Sequence, residues 1–171
     1  MVGSGSFLLT ALERWYLQAP VRFAVLAIAC GVAWPIAVTT LAAMLRVERV
    51  VEPVLAGATP AEFALRAMLV APLLENALLW IVFQAALFCA AQWLARGASA
   101  AAVALSVAAF SLAHWSHKMM LGAEMLAIAW FMTMCFLWGR RHAQPLRGFA
   151  LSLVIHFGVN AVASTLRFVN Y

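Results

Sequence analysis

The chain has 171 residues, of which 67% are hydrophobic and 10% charged, with a mean hydropathy of +0.98. Soluble domains are nearer half apolar and a quarter charged, so these values exclude a soluble globular fold and point to an integral membrane protein. The net charge of +5 does not mark a nucleic-acid surface, because the basic residues gather in loops and at helix ends, where they hold orientation and meet anionic headgroups.

A backbone in lipid has only helices or a closed barrel available to it. Long apolar runs rich in Ala and Leu lack the alternation of a barrel strand. The expected fold is therefore all-α: one domain over residues 1–171, a polytopic bundle of about five transmembrane helices behind a short N-terminal interfacial helix. Residues 6–18 place Leu8, Leu9, Leu12, Trp15 and Tyr16 on one helical face, suited to lying in the interface before Pro20. No cleavable signal peptide is expected, since the first strong apolar segment comes late and is too long for a signal h-region. Residues 21–45 form the first span, with Pro35 as a candidate kink.

Residues 46–66 are the longest polar stretch and carry Thr59-Pro60-Ala61-Glu62, a helix-start signal. The second span covers 67–94 and contains Pro72 and Glu75; Arg96-Gly97 then makes a tight turn. The third, Ala-rich, covers 98 to about 120 and ends in His114-Trp115-Ser116-His117-Lys118. A short fourth span covers 123–138, with Glu124 at the positive end of its dipole and Met and Trp residues for packing and the interfacial belt. Residues 139–147 read as a basic loop holding a solvated His142, and 148 to about 168 as the fifth span, with His156 and Asn160. Arg14, Arg22, Arg96, Arg140, Arg141 and Arg147 fall on the N-terminal side, and Arg46, Arg49, Arg66, Lys118 and Arg167 on the other. With the basic 140–147 loop, that balance favours a cytoplasmic N-terminus. Cys30, Cys89 and Cys135 lack CxxC spacing and read as small core residues, not a disulfide framework or a thiolate metal site.

All six acidic residues are Glu. Glu13, Glu48, Glu52, Glu62 and Glu124 lie in loops or at segment ends, which leaves Glu75 as the only deep carboxyl. A charge at a helix centre costs about 2.5–3.5 kcal/mol on insertion scales and by default marks a functional site. At about 1.5 Å of rise per residue, Glu75 lies roughly 12–14 Å from the Arg66 end of its span, and Asn160 similarly far from the Arg167 end of its own. His114 is near the Lys118 end of the third. Those ends share one side of a five-span arrangement, so the polar groups converge in the leaflet away from the N-terminus.

Such a set can run hydrolysis. A carboxylate takes a proton from water, a neighbouring imidazole orients it or shares the proton, and a second imidazole with an amide donates hydrogen bonds where negative charge develops. His156 and Asn160, four apart, share a helix face; His114 and His117, three apart, share another, with His117 nearer the water and Trp115 placed to wall the pocket. Glu75, His114 and His156 are also acceptable zinc ligands, three protein ligands plus water describing a catalytic zinc site, although no His-Glu-x-x-His motif is present. A non-enzymatic role stays open from the same residues: an immunity factor, a haem protein using the two deep histidines, or a transport subunit, for which no inverted repeat is visible.

Glu75-Asn76-Ala77-Leu78-Leu79-Trp80, Phe110-Ser111-Leu112-Ala113-His114 and His156-Phe157-Gly158-Val159-Asn160 together resemble the CPBP (CAAX protease and bacteriocin-processing, or Abi) family of glutamic-type intramembrane proteases. Its pattern is Glu-Glu-x-x-x-Arg, then Phe-x-x-x-His, then His-x-x-x-Asn, in that order. The resemblance covers roughly residues 67–165, within a catalytic core of about 67–168. It implies an endopeptidase with Glu75, His114, His156 and Asn160 as catalytic residues, no cofactor, and metal-independent catalysis in preference to zinc. The implied partners are the bilayer and a membrane-anchored peptide or protein, such as a C-terminal sorting or prenylated tail, in a bacterial cytoplasmic membrane. The first motif departs from the pattern at Asn76, in place of the second Glu, and at Trp80, in place of the Arg, which removes a charge together with its partner.

Overall fold

Proline and glycine decide where these helices start and how closely they pack. The computed structural model describes residues 4–45, 59–94, 96–115 and 119–169; Arg46, Glu48, Arg49, Glu52, Ser116, His117 and Lys118 lie outside them. Every regular element among the described residues is helical: α1 (Ser4–Gln18), α2 (Pro20–Met44), α3 (Pro60–Leu65), a π-helical turn (Arg66–Val70), α4 (Ala71–Trp93), α5 (Ala98–Ala113), α6 (Met119–Glu124), α7 (Leu126–Arg141) and α8 (Pro145–Val169). Pro20 and Pro145 open their helices, where a fixed φ suits the first turn and the missing N–H is not needed, and Pro35 is carried inside α2 without ending it. At the start of α3 the expected signal is a reciprocal box: the Glu62 N–H donates to Thr59 Oγ1 at 3.3 Å and Glu62 Oε2 accepts the Thr59 N–H at 2.9 Å. Those Thr59 donors, backbone amide first and hydroxyl second, hold the Glu62 carboxyl below the usual carboxylate range.

Three helices are long and apolar enough to cross a membrane: Pro20–Met44, Met68–Trp93 and Pro145–Thr165. The helices in the expected third and fourth spans are shorter. Both α5 and α7 have 16 residues, or about 24 Å of rise, against a hydrocarbon core of about 30 Å. The third segment stops at Ala113 instead of about 120, because His114 ends the helix and α6 follows as a separate piece. The fourth starts at Leu126 and runs on through Gly139, Arg140 and Arg141, two cations that suit the negative end of a helix dipole. The expected basic loop over 139–147 thus contracts to a turn at His142, Ala143 and Gln144, with Ala143 held at φ 53°.

α7 is the centre of the bundle. Every residue from Phe131 to Gly139 is buried, and α1, α2, α4, α5, α6 and α8 all touch it. A helix apolar on all sides belongs inside a protein or in lipid; here it is the protein that surrounds it. Trp138, 1% exposed, is therefore core and not belt. It packs 5.5 Å from both the Tyr16 and Phe23 rings. This contact divides the apolar face expected of α1: Leu12 and Tyr16 turn into the bundle, while Phe7, Leu8, Leu9 and Trp15 stay exposed. Arg147 fastens the joint, its guanidinium donating to the carbonyls of Tyr16 and Leu17 at 2.9 Å each at the end of α1.

The α7–α8 hairpin closes backbone to backbone. A Cβ on Gly148 would run into the carbonyl of Cys135, and one on Gly139 would lie 3.0 Å from Gly148 Cα. Farther along α8, a Cβ on Gly158 would collide with Ile28 of α2. Small residues at these crossings let helices approach without a hydrophobic driving force between them. Gly148→Val should lower stability by about 1–3 kcal/mol, the usual cost of overpacking, read as a lower thermal midpoint in detergent, whereas Val154→Ala at an exposed position of the same helix should be close to neutral.

Candidate functional site

The face of α4 that turns inward carries Pro72, Asn76, Leu79 and Phe83, a spacing of four, three and four residues that keeps one side of a helix buried. Pro72 has no N–H to offer the turn before it. That turn, Arg66–Val70, is wound as a π-helix, with the Ala71 N–H reaching the Arg66 carbonyl; π-turns of this kind insert one extra residue and recur at functional sites. Glu75 sits beside the buried face, its side chain 31% exposed. The inward stripe of α5 runs through Ala102, Val103, Ser106 and Phe110, and His114 extends it by one turn. On α8, Ser152, Ile155, His156 and Val159 are buried.

These three stripes meet at a single atom. Glu75 Oε2 lies 3.5 Å from His114 Nε2 and 3.5 Å from His156 Nε2, within ion-pair range and at the outer limit of a hydrogen bond. The far side of each ring is held as well. His114 Nδ1 is 2.8 Å from the Phe110 carbonyl oxygen, and its ring lies 4.4 Å from the Phe110 ring, which also meets His156 edge-on at 6.2 Å. His156 Nδ1 is 3.4 Å from Asn76 Nδ2, and Ser152 Oγ donates to Asn76 Oδ1 at 2.6 Å. Residues 80 positions apart are thus joined by side chains alone.

Of the residues picked out from the sequence, Glu75, His114 and His156 are brought together. Asn160 lies one turn beyond His156 on α8 and is partly buried. Trp115 is exposed. His117 is outside the described residues, and His142 is not merely solvated, its Nε2 standing 3.0 Å from Glu13 Oε1 on α1. Asn76 and Ser152, both wholly buried, were not among the expected site residues. Ser152 carries a readable signal, for Ser152, His156 and Asn160 form a polar stripe at every fourth position of an apolar helix. Asn76 had only its place next to Glu75 and four residues after Pro72. Among the described residues no group of three or more His, Cys, Asp and Glu side chains is disposed to hold a metal ion.

Glu124 lies at a segment end, as expected, but it is not solvated. Its carboxyl is buried within the bundle, at 6% exposure. Expected at the start of the fourth span, Glu124 instead ends α6 and is covered by α2, whose Thr39 hydroxyl donates to its Oε1 at 2.9 Å while Trp34 Nε1 donates to the Ala123 carbonyl at 2.8 Å. This carboxyl is a joint between α2 and α6. Comparison of the chain with protein families, with curated proteins and with solved structures finds no match in any of the three. For the Glu124 joint, Thr39→Val should cost about 1–3 kcal/mol, because a buried acceptor loses a donor; a thermal midpoint in detergent equal to that of the parent protein would contradict it.

Proposed function

We propose that this protein is an intramembrane endopeptidase of the glutamic type, similar to the CPBP family, acting on membrane-anchored peptides such as C-terminal sorting or prenylated tails. The observation that carries the reading is the single carboxylate oxygen faced by imidazoles from two other helices. Glu75 takes the proton of the attacking water, His114 shares that proton, and His156 with Asn160 donates to the oxyanion. The order and spacing of the three motifs support the same reading, although Asn76 and Trp80 stand where that family has Glu and Arg.

In the membrane arrangement that goes with this function, α2, α4, α5, α7 and α8 all cross, in a bacterial cytoplasmic membrane and with the N-terminus in the cytoplasm. Surrounded by protein, α7 does not have to match the bilayer thickness, since the length requirement falls on helices that face lipid. The site then lies within the leaflet opposite the N-terminus, and its partly exposed edge at Glu75 is the side a substrate reaches. Exposed Leu74, Leu78 and Leu112 beside that edge suit a substrate that arrives through lipid.

In a reconstituted assay on an anchored peptide, Glu75→Gln and His114→Ala should each reduce cleavage by about 10²-fold or more while the protein still inserts, and full activity of Glu75→Gln would refute the assignment. Cleavage that survives a strong chelator, with no metal by elemental analysis, fits the metal-free form. Loss restored by zinc would instead make Glu75, His114 and His156 ligands. A Soret band on the purified protein would favour the haem alternative over peptidase chemistry.

A further inference from the structure

We infer that Asn76 and Ser152 are positioning residues that fix His156 as the neutral Nε2–H tautomer, so that its inner nitrogen can only donate, to Glu75 at rest and to the oxyanion during the reaction, and His114 is the sole onward acceptor of a proton from Glu75. The inference deepens the peptidase reading and rests on it for its catalytic meaning, though its physical content is testable without any substrate.

The argument follows from which atoms can donate. Oδ1 of an amide only accepts and Nδ2 only donates. Ser152 Oγ, 2.6 Å from Asn76 Oδ1, gives its hydroxyl proton to that oxygen in the orientation the buried amide takes here. Nδ2 is then left toward His156 Nδ1 at 3.4 Å. An N–H pointing at Nδ1 requires a lone pair there, and a neutral imidazole with a lone pair on Nδ1 carries its proton on Nε2. That Nε2–H faces Glu75 Oε2. Asn76 and Ser152 are 0% exposed and His156 is 3% exposed, so bulk water does not compete for these positions.

His114 is set the opposite way. Its Nδ1 is 2.8 Å from the Phe110 carbonyl oxygen, a pure acceptor, so Nδ1 carries the hydrogen and Nε2 of the neutral ring presents a lone pair to Glu75 Oε2. The two rings look alike in distance, 3.5 Å each, and differ in direction. As the water oxygen bonds to the substrate carbonyl carbon, the carbonyl π pair moves onto its oxygen and the water proton moves to Glu75. From Glu75 that proton can pass to His114 Nε2 and return through Glu75 to the leaving nitrogen as the C–N bond breaks. It cannot pass to His156, whose free lone pair is on the far side of the ring, against Asn76.

The test is nitrogen NMR on the full-length protein with 15N-labelled histidine, in bilayers and without substrate, with His156 assigned by loss of its signals in His156→Gln. The expected pattern for His156 is protonated Nε2 and unprotonated Nδ1. Asn76→Asp, of the same shape but without an N–H and only accepting when ionised, should move the proton to Nδ1 at a pH where the new carboxyl is ionised, and Ser152→Ala should give a mixture of the two tautomers by releasing the amide. A protonated Nδ1 in the parent protein, or an unchanged pattern in both variants, overturns the inference. If Asn76→Asp does not fold, the parent spectrum and Ser152→Ala carry the test. Because no turnover is read, absence of peptidase activity would refute the proposed function and leave this result standing, and the reverse holds equally.

Discussion

A carboxyl group in the middle of an apolar helix is the constraint around which the bundle is arranged. Glu75 can remain there only if neighbouring groups replace the water it has lost, and nothing on its own helix does so. Two other helices face its Oε2 with one imidazole each: His156 of α8 is placed to donate to it, and His114 of α5 to accept its proton. Each imidazole in turn needs its outer nitrogen satisfied, His114 by the Phe110 carbonyl and His156 by the Asn76 amide, which is itself held by Ser152. A single half-buried carboxyl thus engages side chains from three helices, and this network ties α4, α5 and α8 to one another.

Packing makes that network reachable. α7 fills the centre with Met132, Phe136 and Trp138, all nearly or wholly buried, and the other helices take their places around it. Where α8 must lie closest to α7 and α2, Gly148 and Gly158 remove the side chain that would hold them apart. Gly158 lies between His156 and Asn160, so the residue that permits the α2–α8 approach belongs to the same segment as two of the candidate site residues. Pro72, which follows the π-turn, lies three residues ahead of Glu75. The site is therefore built on helices locked by packing instead of on loops, which is what holding three side chains at one point requires.

Much of this was legible from local pattern, and the failures share one cause. Apolar runs gave most of the long helices to within a few residues, the third segment excepted, and the mid-span carboxyl with two later histidines gave the three residues that meet. The errors arose wherever the environment is supplied by a distant element. Glu124 sits at a segment end, where exposure is the ordinary outcome, yet α2 covers it through Thr39. Asn76 read as a departure from a motif, because its partners lie 76 and 80 positions away. Residues 139–147 looked like a basic loop, since Gly139 and three arginines resemble a connection; in the structure α7 runs on to Arg141, and Gly139 packs against Gly148 of the next helix. In α1 the apolar face was readable, but its division into a bundle side and an exposed side depends on Trp138 of α7.

The central claim is that Glu75, His114 and His156 meet at one point in the membrane-embedded protein. Paired cysteines introduced in native-like membranes, after replacement of Cys30, Cys89 and Cys135 by serine, test it most directly. Glu75→Cys combined with His114→Cys, and separately with His156→Cys, should each cross-link with a short bifunctional thiol reagent, while Leu87→Cys with His156→Cys, three turns farther along α4, should not. Failure of both Glu75 pairs alongside efficient linkage of the Leu87 pair would contradict the account.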